Sequence, residues 1–290
     1  MSPASPAQRA PRIELVRIGG RTVRVAHWKT EAPKGRPILF FNGIGANIEL
    51  MTPLGDWIAD RDIITFDMPG VGRSPSAVLP YRPWMMARLA ARLLDHYRID
   101  KVDVMGVSWG GGMAQQFTFQ HGRRVGKLIL AATSAGTIMV PGNPQALAKM
   151  AHPRRYIDPN YMRENFALLY GGDTAGADGH VAKLHPPSRM GYLYQLSCML
   201  GWTSLPFLPF VRHKTLILMG DQDQIVPVVN GMILEAMLPN ARLEIVKGGG
   251  HLFLVSQAAD VVPVMLSFLN GPDASLKGGG AWGLIRSKAA

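Results

Sequence analysis

The sequence predicts an α/β protein: a mostly parallel, doubly wound sheet with an inserted helical cap. Three observations point there. Apolar runs of strand length alternate with amphipathic helical stretches, as expected when helices cover both faces of a parallel sheet. The alternation lapses between about residues 134 and 211 and then resumes. The chain, at 290 residues, is long enough for one large core that needs neither disulfides nor metal.

In order, residues 1–12 are rich in Pro, Ala and Ser and read as a disordered N-terminal segment. Residues 13–18 and 22–28 flank Gly19-Gly20 and predict a β-hairpin. The run Pro37-Ile38-Leu39-Phe40-Phe41 is of buried-strand type and ends at Asn42-Gly43-Ile44-Gly45. Leu50, Leu54, Trp57 and Ile58 share one face of a short helix. Ile63-Ile64-Thr65-Phe66 is the next buried strand, and Pro83 opens a helix that carries Leu89, Leu93, Leu94 and Tyr97. Residues 102–107 and 127–132 are strands around a further helix, and 215–219 and 243–246 are strands around a helix near 232–237.

These readings divide the chain into a core over 13–133 and 212–270, a cap over 134–211 and a flexible tail over 271–290. Five of the seven tyrosines fall in the cap, Tyr156, Tyr161, Tyr170, Tyr192 and Tyr194, which suits an apolar cleft.

Composition narrows the function. A net charge of +11 and a pI near 10.0 raise the question of nucleic acid. The basic residues are nevertheless dispersed, with no dense run and no interleaved aromatic platform, so no nucleic-acid partner is expected. Cys198 is the single cysteine and the N-terminus lacks an apolar signal run, which together predict a cytoplasmic protein. Residues 196–211 form the longest apolar stretch, but Pro206 and Pro209 interrupt it and it is too short to span a bilayer.

The chemistry is read from the strand ends. Gly106-Val107-Ser108-Trp109-Gly110 follows the strand at 102–107 and precedes a small-residue helix start, the pattern of a nucleophile elbow in which the serine hydroxyl is held exposed. A serine needs a histidine base, and the base needs a carboxylate to orient it. Of eight histidines, His251 follows a strand through Gly248-Gly249-Gly250, which lets it reach the same sheet edge. Both Asp221 and Asp223 lie beyond the strand at 215–219 and either could serve by position. Asp223, with the loop Gln224-Ile225-Val226-Pro227 after it, is the choice, and Asp221 is assigned to the turn.

The backbone N–H groups of Trp109 and Ile44 are the candidate oxyanion donors. No HExxH, paired-cysteine or dinucleotide-binding motif is present, so neither metal nor cofactor is assigned.

Six segments carry a more specific likeness: Phe41-Asn42-Gly43-Ile44-Gly45-Ala46-Asn47, Gly106-Val107-Ser108-Trp109-Gly110-Gly111, Met139-Val140-Pro141-Gly142, Pro153-Arg154-Arg155-Tyr156, Gly201-Trp202-Thr203-Ser204 and Gly250-His251-Leu252-Phe253-Leu254. Through them the chain resembles the α/β-hydrolase superfamily over about residues 13–270, and within it the intracellular poly(3-hydroxyalkanoate) depolymerases that act on medium-chain-length polyester.

The resemblance implies a catalytic triad of Ser108, Asp223 and His251 that cleaves polyester or another apolar ester through an acyl-enzyme, releasing 3-hydroxyacids or oligomers. It also implies association with the granule surface, and Trp202, Tyr192 and Met139 are assigned as candidate substrate-binding residues. The basic N-terminal extension and the Gly/Lys-rich tail depart from the family pattern. Alternative readings are a general carboxylesterase or lipase, a hydrolase of carbon–carbon bonds, and a non-catalytic binding protein of the same fold.

Overall fold

In the computed structural model, which describes residues 9–152, 154–172, 177–273 and 283–285, the apolar runs become strands of one sheet. The strands are β1 (Arg12–Ile18), β2 (Arg21–Trp28), β3 (Ile38–Phe41), β4 (Ile63–Phe66), β5 (Val102–Val107), β6 (Val125–Ala131), β7 (Lys214–Gly220), β8 (Ala241–Val246) and β9 (Gly283–Ile285). Their order across the sheet is β1-β2-β4-β3-β5-β6-β7-β8-β9. The hairpin β1–β2 pairs antiparallel and β2 pairs antiparallel with β4, while every pairing from β4 to β9 is parallel.

Period-two alternation sorts each central strand onto two buried faces. Leu39 and Phe41 of β3, Leu128 and Leu130 of β6, and Ile217 and Met219 of β7 enter one apolar cluster. Ile38 and Phe40, Ile129 and Ala131, and Leu216 and Leu218 enter the other. Because both faces are covered, these strands read as unbroken apolar runs in the sequence. The first cluster is closed by α2 (Pro83–His96), α3 (Trp109–Gln120) and, past the insertion, Leu234 of the helix at Val228–Met237. The second is closed by α1 (Thr52–Trp57) and by the last long helix, Ala258–Asn270.

Between β6 and β7 the chain leaves the sheet and forms α4 (Pro144–Ala151), α5 (Arg154–Ile157), α6 (Pro159–Tyr170), α7 (Ala177–Lys183) and α8 (Arg189–Met199). The remaining helices are α9 (Val228–Met237), α10 (Phe253–Ser256) and α11 (Ala258–Asn270).

Two expectations at the termini are corrected. Of the N-terminal segment read as disordered, 1–8 lie outside the described residues, but Arg9 is tied down: its backbone N–H donates to Asp56 Oδ1 at 2.8 Å and its Nη1 donates to the Ile58 carbonyl at 2.5 Å. Arg12 already belongs to β1. Of the tail read as flexible, 274–282 and 286–290 lie outside the described residues, whereas Gly283–Ile285 adds β9 to the sheet by pairing with β8. Its physical reason is local: Leu284-Ile285 is an apolar pair, and Ile285 is buried in the second cluster.

A buried lysine ties β6 to the end of α11. Lys127 is 1% exposed, and its Nζ donates to the carbonyls of Phe268 at 3.0 Å, Leu269 at 2.8 Å and Gly271 at 2.5 Å. A cation here also opposes the negative end of the helix dipole. Lys127→Met is expected to strip those carbonyls of their donor and lower stability by ~2–4 kcal/mol in urea unfolding. A loss below ~0.5 kcal/mol would reject this role.

Candidate active site

Parallel strands bring their C-terminal ends to one edge, and that edge collects the predicted site residues. Ser108 follows β5, Asp223 follows β7, His251 follows β8 and the Asn42–Gly45 loop follows β3, all by short connections. Ser108 has φ 53° and ψ −124°, a left-handed conformation that L-residues avoid. Two glycines make this turn possible by letting backbones touch. A Cβ on Gly106 would lie 2.3 Å from the Gly110 carbonyl oxygen, and one on Gly110 would lie 2.1 Å from that of Phe41. The strained residue is held by its own N–H, which donates to the Ala131 carbonyl at 2.9 Å, and by Thr133 Oγ1, which donates to the Ser108 carbonyl at 2.7 Å.

The three polar side chains form one chain of hydrogen bonds. His251 Nε2 lies 3.0 Å from Ser108 Oγ, and His251 Nδ1 lies 2.7 Å from Asp223 Oδ2. Asp223 is itself oriented, because its Oδ1 accepts the backbone N–H groups of Ile225 at 2.8 Å and Val226 at 2.9 Å. Both His251 and Asp223 are buried. Of the two aspartates open by position, Asp223 faces the imidazole. Asp221 instead accepts the Gly248 N–H at 2.7 Å and pairs with Lys247 at 2.9 Å, holding the turn before the histidine.

The backbone N–H groups of Ile44 and Trp109 donate to no acceptor among the described residues. Ile44 also lines the cavity onto which Ser108 opens. The arrangement provides a hydroxyl, a base within its reach, a carboxylate behind the base and free donors beside the hydroxyl. Chemically that is the equipment for acyl transfer.

The cavity, about 800 Å³ with its mouth included, lies between the sheet edge and the helical insertion. Met150, Arg155, Tyr156, Tyr170, His180 and Leu184 form its insertion side. Tyr156 rests on the loop after β3, its hydroxyl donating to the Ile44 carbonyl at 3.2 Å. Tyr170 binds the histidine segment, its carbonyl accepting the His251 N–H, with its ring stacked 6.4 Å from the imidazole. Burial, with the neighbouring charge of Arg155, pushes His180 down to about 4 and keeps it neutral at ordinary pH.

None of the three residues expected to bind substrate reaches this cavity. Trp202 donates through Nε1 to Gln116 Oε1 at 2.8 Å and so ties the insertion to α3. Tyr192 stands one layer back, edge-on to Tyr156 at 4.9 Å. Met139 packs against the first apolar cluster, where its sulfur accepts from Ser134 Oγ at 3.4 Å. Their aromatic or apolar character marked them in the sequence, but tying the insertion to the core needs the same character. Of the residues that do line the cavity, the polar ones not singled out as substrate contacts from the sequence are Arg155 and His180. The sequence signal for Arg155 was a basic pair, Arg154-Arg155, directly before Tyr156 in a tyrosine-rich segment.

Comparison with known proteins agrees with the geometry. A family model described as alpha/beta hydrolase fold matches residues 36–170. A poly(3-hydroxyalkanoate) depolymerase of Ectopseudomonas oleovorans is 42% identical over 259 residues, covering 88% of this chain and 91% of that protein. A 2-hydroxymuconate semialdehyde hydrolase of Pseudomonas sp. (strain CF600) is 26% identical over 277 residues, covering 88% and 95%. Among solved structures, an esterase from Exiguobacterium antarcticum superposes with a TM-score of 0.77 at 18% identity, covering 89% of this chain and 99% of that one, a likeness of fold.

Two outcomes are expected from this site. Gly110→Ala drives a Cβ into the β3 backbone, which cannot yield as a side chain would, and is expected to cost more than ~2 kcal/mol in denaturant unfolding. His180 is lowered in the folded state, so between about pH 4 and 6.5 the unfolded chain binds a proton that the native one refuses. Its contribution to stability therefore falls as pH drops through that window, by up to ~3 kcal/mol. Unfolding free energies of His180→Phe, measured at pH 7 and pH 4.5, should show a weaker loss on acidification than the unsubstituted protein. An identical loss would refute the assignment.

Proposed function

The chain belongs to the α/β-hydrolase family, and from that premise we propose that Ser108, His251 and Asp223 are a catalytic triad hydrolysing the ester bonds of a poly(3-hydroxyalkanoate). The observation that carries this reading is the unbroken series Ser108–His251–Asp223 opening onto a largely apolar cavity. The 42% identity to a poly(3-hydroxyalkanoate) depolymerase supports the choice of polymer.

Ser108 Oγ attacks an ester carbonyl while His251 Nε2 takes its proton, and Asp223 stabilises the imidazolium through Nδ1–H. The N–H groups of Ile44 and Trp109 receive the oxyanion, each contributing ~3 kcal/mol to lowering the barrier. The alkoxide departs with the proton from His251. Water, deprotonated by the same imidazole, then attacks the acyl-serine and releases the acid.

The helical insertion acts as a cap that sets the acyl preference. Met150, Tyr156 and Leu184 supply apolar wall for alkyl side chains, each buried methylene contributing ~0.8 kcal/mol. Granule contact is assigned to α8. Gly191, Gln195 and Cys198 of this helix are buried, while Met190, Leu193 and Leu196 on its other side, with Leu200 just after it, are exposed. Val78 and Leu79 extend this apolar face, joined to it where Tyr194 Oη donates to the Val78 carbonyl at 3.3 Å. Contiguous exposed apolar surface of this kind suits contact with a hydrophobic body. No helix among the described residues is long and apolar enough to cross a membrane; a cytoplasmic location at the granule surface is part of the proposed reading.

Release of 3-hydroxyacids from amorphous medium-chain granules is the direct test. It is expected to fall by roughly three orders of magnitude or more in Ser108→Ala. If granules release nothing while p-nitrophenyl octanoate is cleaved, the substrate is a small ester instead. For the surface assignment, the doubly substituted Leu193→Asp/Leu200→Asp protein should co-sediment less with washed granules. Equal co-sedimentation would reject α8 as the contact.

A further inference from the structure

Arg155 is a cation buried where the ester is proposed to bind. It is 6% exposed and lines the cavity shared by Ser108 and His251. Its Nε and Nη1 are buried and make no hydrogen bond, and it belongs to no ion pair, among the described residues. The other buried arginines are neutralised: Arg24 pairs with Glu49 at 2.7 Å and Asp67 at 3.2 Å, and Arg61 with Asp60 at 3.1 Å and Asp103 at 3.5 Å.

Among the described residues, the groups that surround Arg155 are uncharged. Its guanidinium lies 4.7 Å from the centre of the Tyr156 ring. Burial works against its charge, and the phenols of Tyr170, Tyr156 and Tyr192 work for it. His180, the neighbouring base, is held neutral. Phenols and a ring face favour a cation without neutralising it, and leaving a cation buried with no anion is costly. An anion brought by the ligand removes that cost, and a planar guanidinium matches a carboxylate in two hydrogen bonds.

We propose that Arg155 receives the free carboxylate of the substrate, so that the site acts on carboxyl-terminated chain ends and oligomers of 3-hydroxyacids. The proposal rests on the ester-hydrolase reading above and names the end of the chain that reading leaves open. When the last ester of a chain is cleaved, Ser108 keeps the long acyl part and the departing alcohol is a 3-hydroxyacid. Its alkoxide oxygen takes the proton from His251 Nε2, and its own carboxylate is separated from that oxygen by only two carbons. Arg155 and His251 line the same cavity. Tyr170 connects them, its ring stacked 6.4 Å from the His251 imidazole and its phenol among the groups acting on Arg155. Arg155 is thus a specificity-determining residue, and the insertion that carries it selects for an acid as well as for alkyl length.

The test compares two substrates that differ in charge at one group, the 3-hydroxyoctanoate dimer with a free carboxylate and its carboxamide, both read at the internal ester. Their kcat/KM values are measured at pH 7.5 with the unsubstituted enzyme, Arg155→Gln and Arg155→Lys. The unsubstituted enzyme is expected to favour the acid by about thirtyfold or more, as for one partner of a buried charge pair. Arg155→Gln should bring the ratio close to one through a rise in KM for the acid alone, and Arg155→Lys should keep part of the preference. Equal rates on the two dimers with the unsubstituted enzyme overturn the proposal, as does a preference that survives in Arg155→Gln.

If Arg155→Gln does not fold, the unsubstituted enzyme and Arg155→Lys still decide. p-Nitrophenyl octanoate, which carries no carboxylate, separates the two levels of failure. Its Ser108-dependent cleavage with no discrimination between dimers removes only the role of Arg155. No cleavage of any of the three esters removes the hydrolase reading and this proposal with it.

Discussion

The turn at Ser108 is the constraint around which the molecule is arranged. A non-glycine residue at φ 53° stores strain of order 1–3 kcal/mol, and such a conformation persists only where its surroundings over-determine it. Here β6 supplies the Ala131 carbonyl that holds the serine N–H, and Thr133, just beyond β6, clamps its carbonyl. β3 comes close enough to α3 that only hydrogen fits on Gly110. The parallel order β3-β5-β6-β7 is therefore more than a scaffold. It sets the neighbours that keep the hydroxyl aimed at His251, and the same parallelism brings Asp223 and His251 to that edge from β7 and β8.

The insertion is fastened to this edge by buried polar atoms. Gln195 of α8 is used twice: its side-chain oxygen accepts the Gly45 N–H at 2.8 Å and its backbone carbonyl accepts Trp109 Nε1 at 3.1 Å. Gln115 of α3 donates to the Ser134 carbonyl at 2.9 Å and accepts from Ser204 Oγ at 2.5 Å, at the two points where the chain leaves and rejoins the core. Such bonds are costly to leave unmade, so they fix one docking of the helices where apolar contact alone would tolerate several. The loop carrying Ile44 and the helix opened by Trp109 are thereby held by one glutamine.

Most of the core was legible from sequence because two-sided burial writes itself as unbroken apolar runs, seen at β3, β4 and β7, and because Gly-Val-Ser-Trp-Gly after a strand has few other uses. The choice between Asp221 and Asp223 was harder, since both lie in one loop and only the backbone geometry turns one inward. The cavity wall was least legible. Trp202 and Tyr156 are similar in kind, yet one pins the insertion to Gln116 and the other faces the cavity. That difference arises from how short helices cross, which no periodicity in 134–211 encodes. Arg155 stood in the sequence only as part of a motif, with no role, for a related reason: a surface arginine and a buried one look alike until the burial is known. The strand β9 was hidden because three residues in a Gly-rich tail carry too little pattern.

The protein's one thiol is placed inside this arrangement. Cys198 is 0% exposed on the core-facing side of α8, and burial raises it to about 12. In the closed molecule it is neither ionised nor reachable, so an alkylating reagent can modify it only when α8 lifts from the core. The rate of that single labelling event is a clock for how often α8 parts from the core, read from the natural chain without any introduced probe.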